Sequence, residues 1–255
     1  MKPVFPLQCC LFSGLFSGKN FLWLLIVVAT IVATDYGISG LSQVASSPRG
    51  GTSGAAAEAP LPKDVYPDSR SRLPLVKREE LDERGKKVYD EAVSDPRSLA
   101  GLQGPGGIRL HNPRLAELQS PLSEYLRFEN GLGPRLTQLA FLVVAREIDS
   151  QFEWTSHEPA ALRAGIDQPL IDIVKYRRPL TTLGEREAVI VQLGRDAISQ
   201  HKVGADTFAR AVKLFGHQGV VNIVALMGDY AATTILLNVA DQHVRPRDKS
   251  LLPIP

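Results

Sequence analysis

The sequence predicts an all-α protein: one helical domain of about six to eight helices, behind an N-terminal signal or anchor and a linker. Two observations carry this. Apolar residues recur at three- and four-residue spacing along nearly the whole stretch after residue 80. No segment shows the alternating β-branched runs between hairpin turns that a sheet would need. The 255 residues, 44% hydrophobic and 22% charged, suit a single domain with appendages. A formal charge of +2 implies no broad attraction to nucleic acid. Both cysteines, Cys9 and Cys10, lie at the N-terminus. Disulfides, thiolate metal sites and cysteine nucleophiles are therefore excluded from residue 11 onward.

Residues 1–36 read as a signal peptide or signal anchor. Lys2 and Lys19 flank a mostly apolar lead, and the run Phe21–Thr34 is closed by Asp35. That run is shorter than the about 20 residues of a comfortable membrane span and fits a secretory segment. Cleavage could follow "VAT" (32–34), "VAS" (44–46) or "AAA" (55–57), and an uncleaved anchor is the competing reading. A lipoprotein is excluded, because both cysteines precede the apolar run. The protein is thus expected to be exported, periplasmic or tethered to a membrane through its N-terminus. Residues 37–65, rich in Gly, Ser, Ala and Pro, read as a flexible linker, and the folded domain spans 66–255.

Within the domain, "REELDERGKKVYDEAVS" places Leu81, Val88 and Ala92 on one helix face, with Gly85 marking a close neighbour; Asp95-Pro96 ends it. "GLQGPGG" (101–107) is expected to be a loop, given the entropy that glycine loses in a helix. Asn112 is a candidate N-cap with Pro113 at N1. Leu115, Leu118, Leu122 and Leu126 form an expected buried stripe, Pro121 a bend or a split and Gly131 a stop. "RLTQLAFLVVARE" (135–147) is apolar around most of its circumference and predicts the central buried helix. Helices are further expected over 150–165, 168–178, 184–199, 206–216 and 219–240. The small residues of "GDYAATTILLNVA" suit close packing within or between subunits.

The stretch "SQFEWTSH" (150–157) carries the candidate chemistry. Ser150-Gln-Phe-Glu153 matches a capping box, in which serine and glutamate satisfy free N–H groups at a helix start. Glu153 and His157, at i and i+4, meet on one face. They form either a surface pair or an acid/base pair in which the carboxylate orients the imidazole. Because the stretch directly follows the most apolar helix, its Ser150/Glu153/His157 face is placed against a cavity, with Trp154 and Phe152 as walls or as plain core. A metal site finds little support, since no second cluster with ligand spacing accompanies His157.

At these residues the sequence resembles the carboxymuconolactone decarboxylase family, which includes the alkylhydroperoxidase D-like proteins. The shared layout is a buried L-x-x-L-A-x-L-x-x-A helix, a short break, and C-x-x-C-x-x-x-H in the peroxidase branch. Here "LTQLAFLVVAREIDSQFEWTSH" has Ser150 and Glu153 at the cysteine positions and His157 at the histidine. The decarboxylase branch also lacks the cysteines and carries a glutamate and a histidine here. The resemblance covers 108–245, and more loosely 66–107. It implies an all-α domain of the alkylhydroperoxidase D-like type, self-association as a trimer or hexamer, and cofactor-free, metal-free acid/base chemistry on a small-molecule carboxylate or lactone. It casts His157 and Glu153 as catalytic residues and Ser150, Gln138 and Trp154 as substrate-binding ones. Thiol-based peroxidase (peroxiredoxin-type) activity does not carry over without the cysteines. The peroxidase branch has a glutamate where Gln138 stands, which can hydrogen-bond but not carry a proton. A non-catalytic helical binding or scaffold module is the alternative.

Other candidates are weaker. His111, in the glycine-rich segment, either reaches the site or faces solvent. The cations of "KYRRP" complement a helix dipole, or Arg177 or Arg178 clamps a substrate carboxylate; the dipole is the preferred reading. His201, His217 and His243 receive no role.

Overall fold

A computed structural model of the chain describes residues 60–95 and 101–254. The expected signal or anchor segment and most of the linker lie outside the described residues. Among the described residues the fold is all-α, and the sole extended pairing is an isolated bridge between Tyr66 and Ser71.

Eight helices follow one another: α1 (Glu83–Ser94), α2 (Pro105–Arg109), α3 (Pro113–Glu124), α4 (Pro134–Glu147), α5 (Gln151–Arg163), α6 (Gln168–Lys175), α7 (Glu185–Gly194) and α8 (Ala205–Val239). α3 and α7 each run on into a π-turn, Tyr125–Glu129 and Arg195–Ser199. Short polar side chains start several of them. The carboxylates of Asp82 and Asp167, the Asn112 amide and the Ser150 hydroxyl accept the free N–H groups at the starts of α1, α6, α3 and α5. Gly131, at φ 79°, follows the π-turn after α3 as the expected stop.

α4 is the axis of the core. Every residue from Leu139 to Ala145 is at most 1% exposed, and α5, α6, α7 and α8 pack around it. Each such leucine or phenylalanine contributes about 1.5–3 kcal/mol by leaving water. The packing is close at Gly194, where a Cβ would stand 2.2 Å from Val143 Cγ1. The expected close neighbour of Gly85 is Pro113, whose Cγ would meet a Cβ there at 3.2 Å.

α4 and α5 are joined by a turn of three residues. Asp149 adopts a left-handed φ of 52°, and Ser150 N–H donates to Ala145 O at 2.7 Å. Arg177 locks this corner from outside, donating to the Arg146 carbonyl at 2.8 Å and to Glu147 at 3.3 Å. Arg178 lies over the Tyr176 ring at 4.9 Å. Of the "KYRRP" cations, Arg177 alone therefore serves the C-terminus of α4.

Three expectations need correcting. The segment 101–107 is not all loop, because Pro105 opens α2 with Gly104 as its cap. Glycine is required there for another reason: a Cβ on Gly107 would stand 2.0 Å from the Leu102 carbonyl oxygen. Pro121 does not split α3, which continues through it. Of the leucine stripe only Leu126 is buried, at 2% exposed; Leu115, Leu118 and Leu122 are 49%, 58% and 52% exposed. The periodicity was real, but among the described residues no element covers that face.

α8 is kinked at Gly216, whose φ of 67° and ψ of 173° are not helical, so the two expected helices stand on either side of that break. By length and composition α8 could cross a membrane, yet half of its apolar window is buried within the domain. Its outer side bears a second uncovered face: Val221, Ala225, Gly228, Ala232, Ile235 and Val239 are all exposed, spaced alternately by four and three residues.

Candidate active site

α5 presents two polar pairs on adjoining faces, because residues four apart align and successive residues turn by about 100°. Trp154 and Glu158 form one pair. The Trp154 ring is fully buried, its indole N–H donates to the Glu158 carboxylate, and Lys175 from α6 donates to the same carboxylate at 2.9 Å. The ammonium also sits 5.5 Å from the centre of the indole. This cluster is internally satisfied, and Trp154 is not in the lining of the cavity that Glu153 and His157 face.

Glu153 and His157 form the other pair. They are 4% and 3% exposed, with His157 Nε2 3.3 Å from Glu153 Oε2. On its other side, His157 Nδ1 is 2.9 Å from Gln138 Oε1 of α4. An amide oxygen only accepts, so Nδ1 carries a proton and Nε2 is the nitrogen free to exchange one. The Tyr230 hydroxyl of α8 approaches Nε2 at 3.2 Å. Phe141 stacks on Tyr230 with ring centres 3.6 Å apart and packs against the imidazole at 4.7 Å. Burial pushes the Tyr230 phenol well above its ordinary value, and Glu153 and Asp229 add to that while Arg127 and Arg109 oppose it. Tyr230 therefore stays a neutral hydrogen-bonding group at physiological pH.

The pair opens onto a cavity of about 860 Å³ walled by α1, α2, α3, α5 and α8. Its lining includes Phe152, Glu153, Ser156 and His157 from α5, Asp229, Tyr230 and Thr233 from α8, Arg109 from α2, and Arg127 from the turn after α3. The volume is that of a pocket for a small organic molecule.

Ser150, 2% exposed, is outside this lining; its hydroxyl accepts the Glu153 N–H at 3.4 Å as helix cap. The capping box is only half made, because the Ser150 N–H is taken by Ala145 and the Glu153 carboxylate turns to His157 instead. The two readings of "SQFEWTSH" thus share the stretch: serine caps, glutamate and histidine face the cavity. Gln138 also stays out of the lining and acts on the imidazole from behind. His111 points elsewhere, with its Nε2 2.9 Å from the Pro74 carbonyl.

Tyr230, Arg109, Arg127 and Asp229 were not singled out from the sequence. Tyr230 and Asp229 left a faint signal, as the polar dipeptide of an otherwise apolar helix; Arg109 and Arg127 left none. Among the described residues no group of three or more His, Cys, Asp and Glu could hold a metal ion. Compared with protein-family models and with curated proteins, the chain matches none.

Proposed function

We propose that this chain is a cofactor-free acid/base catalyst of the carboxymuconolactone decarboxylase-like type, acting on a small carboxylate or lactone. The observation that carries the reading is the Glu153–His157 pair, buried, meeting Tyr230 at the same imidazole nitrogen, and opening onto a cavity of about 860 Å³.

Loss of carbon dioxide from a carbon next to a carbonyl or lactone breaks the carbon–carboxylate bond. The electron pair passes into the neighbouring carbonyl as an enolate, and the carbon then needs a proton. Protonated His157 delivers it from Nε2, while the Glu153 carboxylate holds the imidazolium before transfer. Gln138 fixes the ring through Nδ1, so proton exchange is confined to the nitrogen that faces the cavity. The Tyr230 hydroxyl is placed to bond Nε2 once its proton has left. Burial of the pair strengthens these contacts relative to water.

The apolar run Phe21–Thr34 supports export or membrane tethering through the N-terminus, and the same resemblance supports an alkylhydroperoxidase D-like fold and self-association. The uncovered faces of α3 and α8 favour the last of these.

The test is turnover of 4-carboxymuconolactone and a panel of related lactones and β-keto acids by the full-length chain beside His157→Ala. Turnover by the wild type that is lost in the variant is expected. Equal turnover by both proteins sinks the reading, and binding without turnover by either points to the non-catalytic module.

A further inference from the structure

The proton-transfer pair leaves two cations of the cavity without a task. Arg109 and Arg127 both line it, and each has a buried Nε that lacks a hydrogen-bond partner. Arg109 is anchored at one end, where Nη2 donates to Thr233 Oγ1. Arg127 makes no hydrogen bond or ion pair among the described residues, and its guanidinium lies over the Phe128 ring at 5.1 Å. The acids nearby are already engaged. Gln119 and Ser123 donate to the two oxygens of Asp229 at 3.0 and 2.8 Å, and Glu153 faces His157. Burial also pulls the Arg109 guanidinium below its ordinary value, which the charges of Asp229 and Glu153 only partly offset. A half-buried guanidinium with unused donors is under-satisfied until an acceptor arrives.

We propose that Arg109 and Arg127 anchor a carboxylate of the ligand, and that it is a carboxylate the reaction leaves in place. The planar guanidinium fork matches the two oxygens of a carboxylate. Holding the departing carboxylate in such bonds would stabilise the ground state and slow loss of carbon dioxide. The departing group must therefore lie away from the arginines, near His157, and the ligand must bring a second acid for them. The ligand class is a small diacid, or a lactone with one spare carboxylate. This assignment rests on the cavity being the active site, but anchoring itself needs no chemistry.

Calorimetric titration of the full-length chain with glutarate, with its neutral diamide glutaramide, and with inorganic phosphate tests it. Glutarate should bind the wild type, glutaramide should not, and phosphate should bind more weakly than glutarate. Arg127→Gln should weaken glutarate tenfold or more, and Arg127→Lys should recover part of that loss. Lys213→Gln, at an exposed position outside the cavity lining, should bind glutarate as the wild type does. Arg109→Gln should also weaken it; a melting curve for each variant identifies any that has lost the fold, and Arg127→Gln, which breaks no hydrogen bond or ion pair among the described residues, decides if Arg109→Gln has. No heat with glutarate and the wild type, equal binding of glutarate and glutaramide, unchanged affinity in Arg127→Gln, or tighter binding of phosphate would each overturn the assignment. Failure of the acid/base reading looks different: His157→Gln would keep turnover while glutarate still required Arg127.

Discussion

The Nε2 atom of His157 lies 3.3 Å from the Oε2 atom of Glu153, one helical turn earlier, with both side chains at most 5% exposed. An exposed i, i+4 pair contributes a few tenths of a kcal/mol. Here both side chains are almost wholly buried, and the carboxylate and Tyr230 are the imidazole's neighbours at Nε2. Glu153→Gln keeps the shape and removes the charge that holds an imidazolium. We expect kcat on a turned-over substrate to fall by about 10²-fold, with a smaller loss in Tyr230→Phe. Steady-state kinetics check this, and a Glu153→Gln enzyme with undiminished kcat would remove the carboxylate from the chemistry.

On the neighbouring face of α5, Glu158 and Lys175 form an ion pair at 2.8 Å, each side chain 9% exposed, with the Trp154 indole as a further donor. Removing one member leaves a charge in the interior without its counterion. Lys175→Met is expected to cost about 3–5 kcal/mol, which lowers the melting temperature by on the order of 10 °C. Lys175→Met combined with Glu158→Gln should cost less than the sum of the two single changes, as coupled partners do. Chemical denaturation of the four proteins measures the coupling, and strictly additive losses would show that the pair does not act as a unit.

Sequence periodicity revealed the helices well because α4 to α8 are packed by their own chain, so each apolar stripe meets a partner. It misplaced the α3 leucines because spacing reports that a face is apolar and not what covers it. In the candidate site, Glu153 and His157 were legible since both sit on one helix at i, i+4. Tyr230, Arg109 and Arg127 come from elements up to 73 residues away from His157, and closure over such distances leaves no trace in local spacing. Trp154 was read as a cavity wall or as plain core because its stretch directly follows the most apolar helix. One residue along a helix is a turn of about 100°, enough to send the indole to α6 instead.

The start of α4 is tied to that of α7 by Arg135 and Glu187, whose carboxylate is 17% exposed. Burial raises the Glu187 pKa, but the hydrogen bond from Arg135, a backbone N–H and the charges of Arg135 and Arg186 outweigh it, leaving a net depression below the ordinary 4.5. A carboxyl depressed in the folded state stabilises the fold above its unfolded pKa and loses that contribution as pH falls through the folded one. Glu187→Gln should therefore cost on the order of 1 kcal/mol at pH 7, and the gap to wild type should close as the pH falls below 4.5. Urea midpoints across that range test the sign; a gap that stays constant with pH would mean that the charge of Glu187 is not what matters.

The outer stripe of α8 is self-complementary when two copies meet antiparallel about residue 230. Val221 then faces Val239, the small Ala225 leaves room for Ile235, and Gly228 faces Ala232, so that the backbones can approach at the centre. In this chain alone Val221, Ile235 and Val239 are 66%, 58% and 70% exposed, a face that costs free energy while it stays in water. Self-association through this stripe would bury it on both copies at once, as a two-fold contact requires. Ile235→Asp puts two carboxylates into such a seam and should lower the mass measured by light scattering after gel filtration, without unfolding the domain, since Ile235 packs outside the core. A matching change at exposed Lys213, which is off the stripe, should leave the mass as it is. A single-chain mass for the wild type, or an unchanged oligomer in Ile235→Asp, would mean that α8 is not where copies meet.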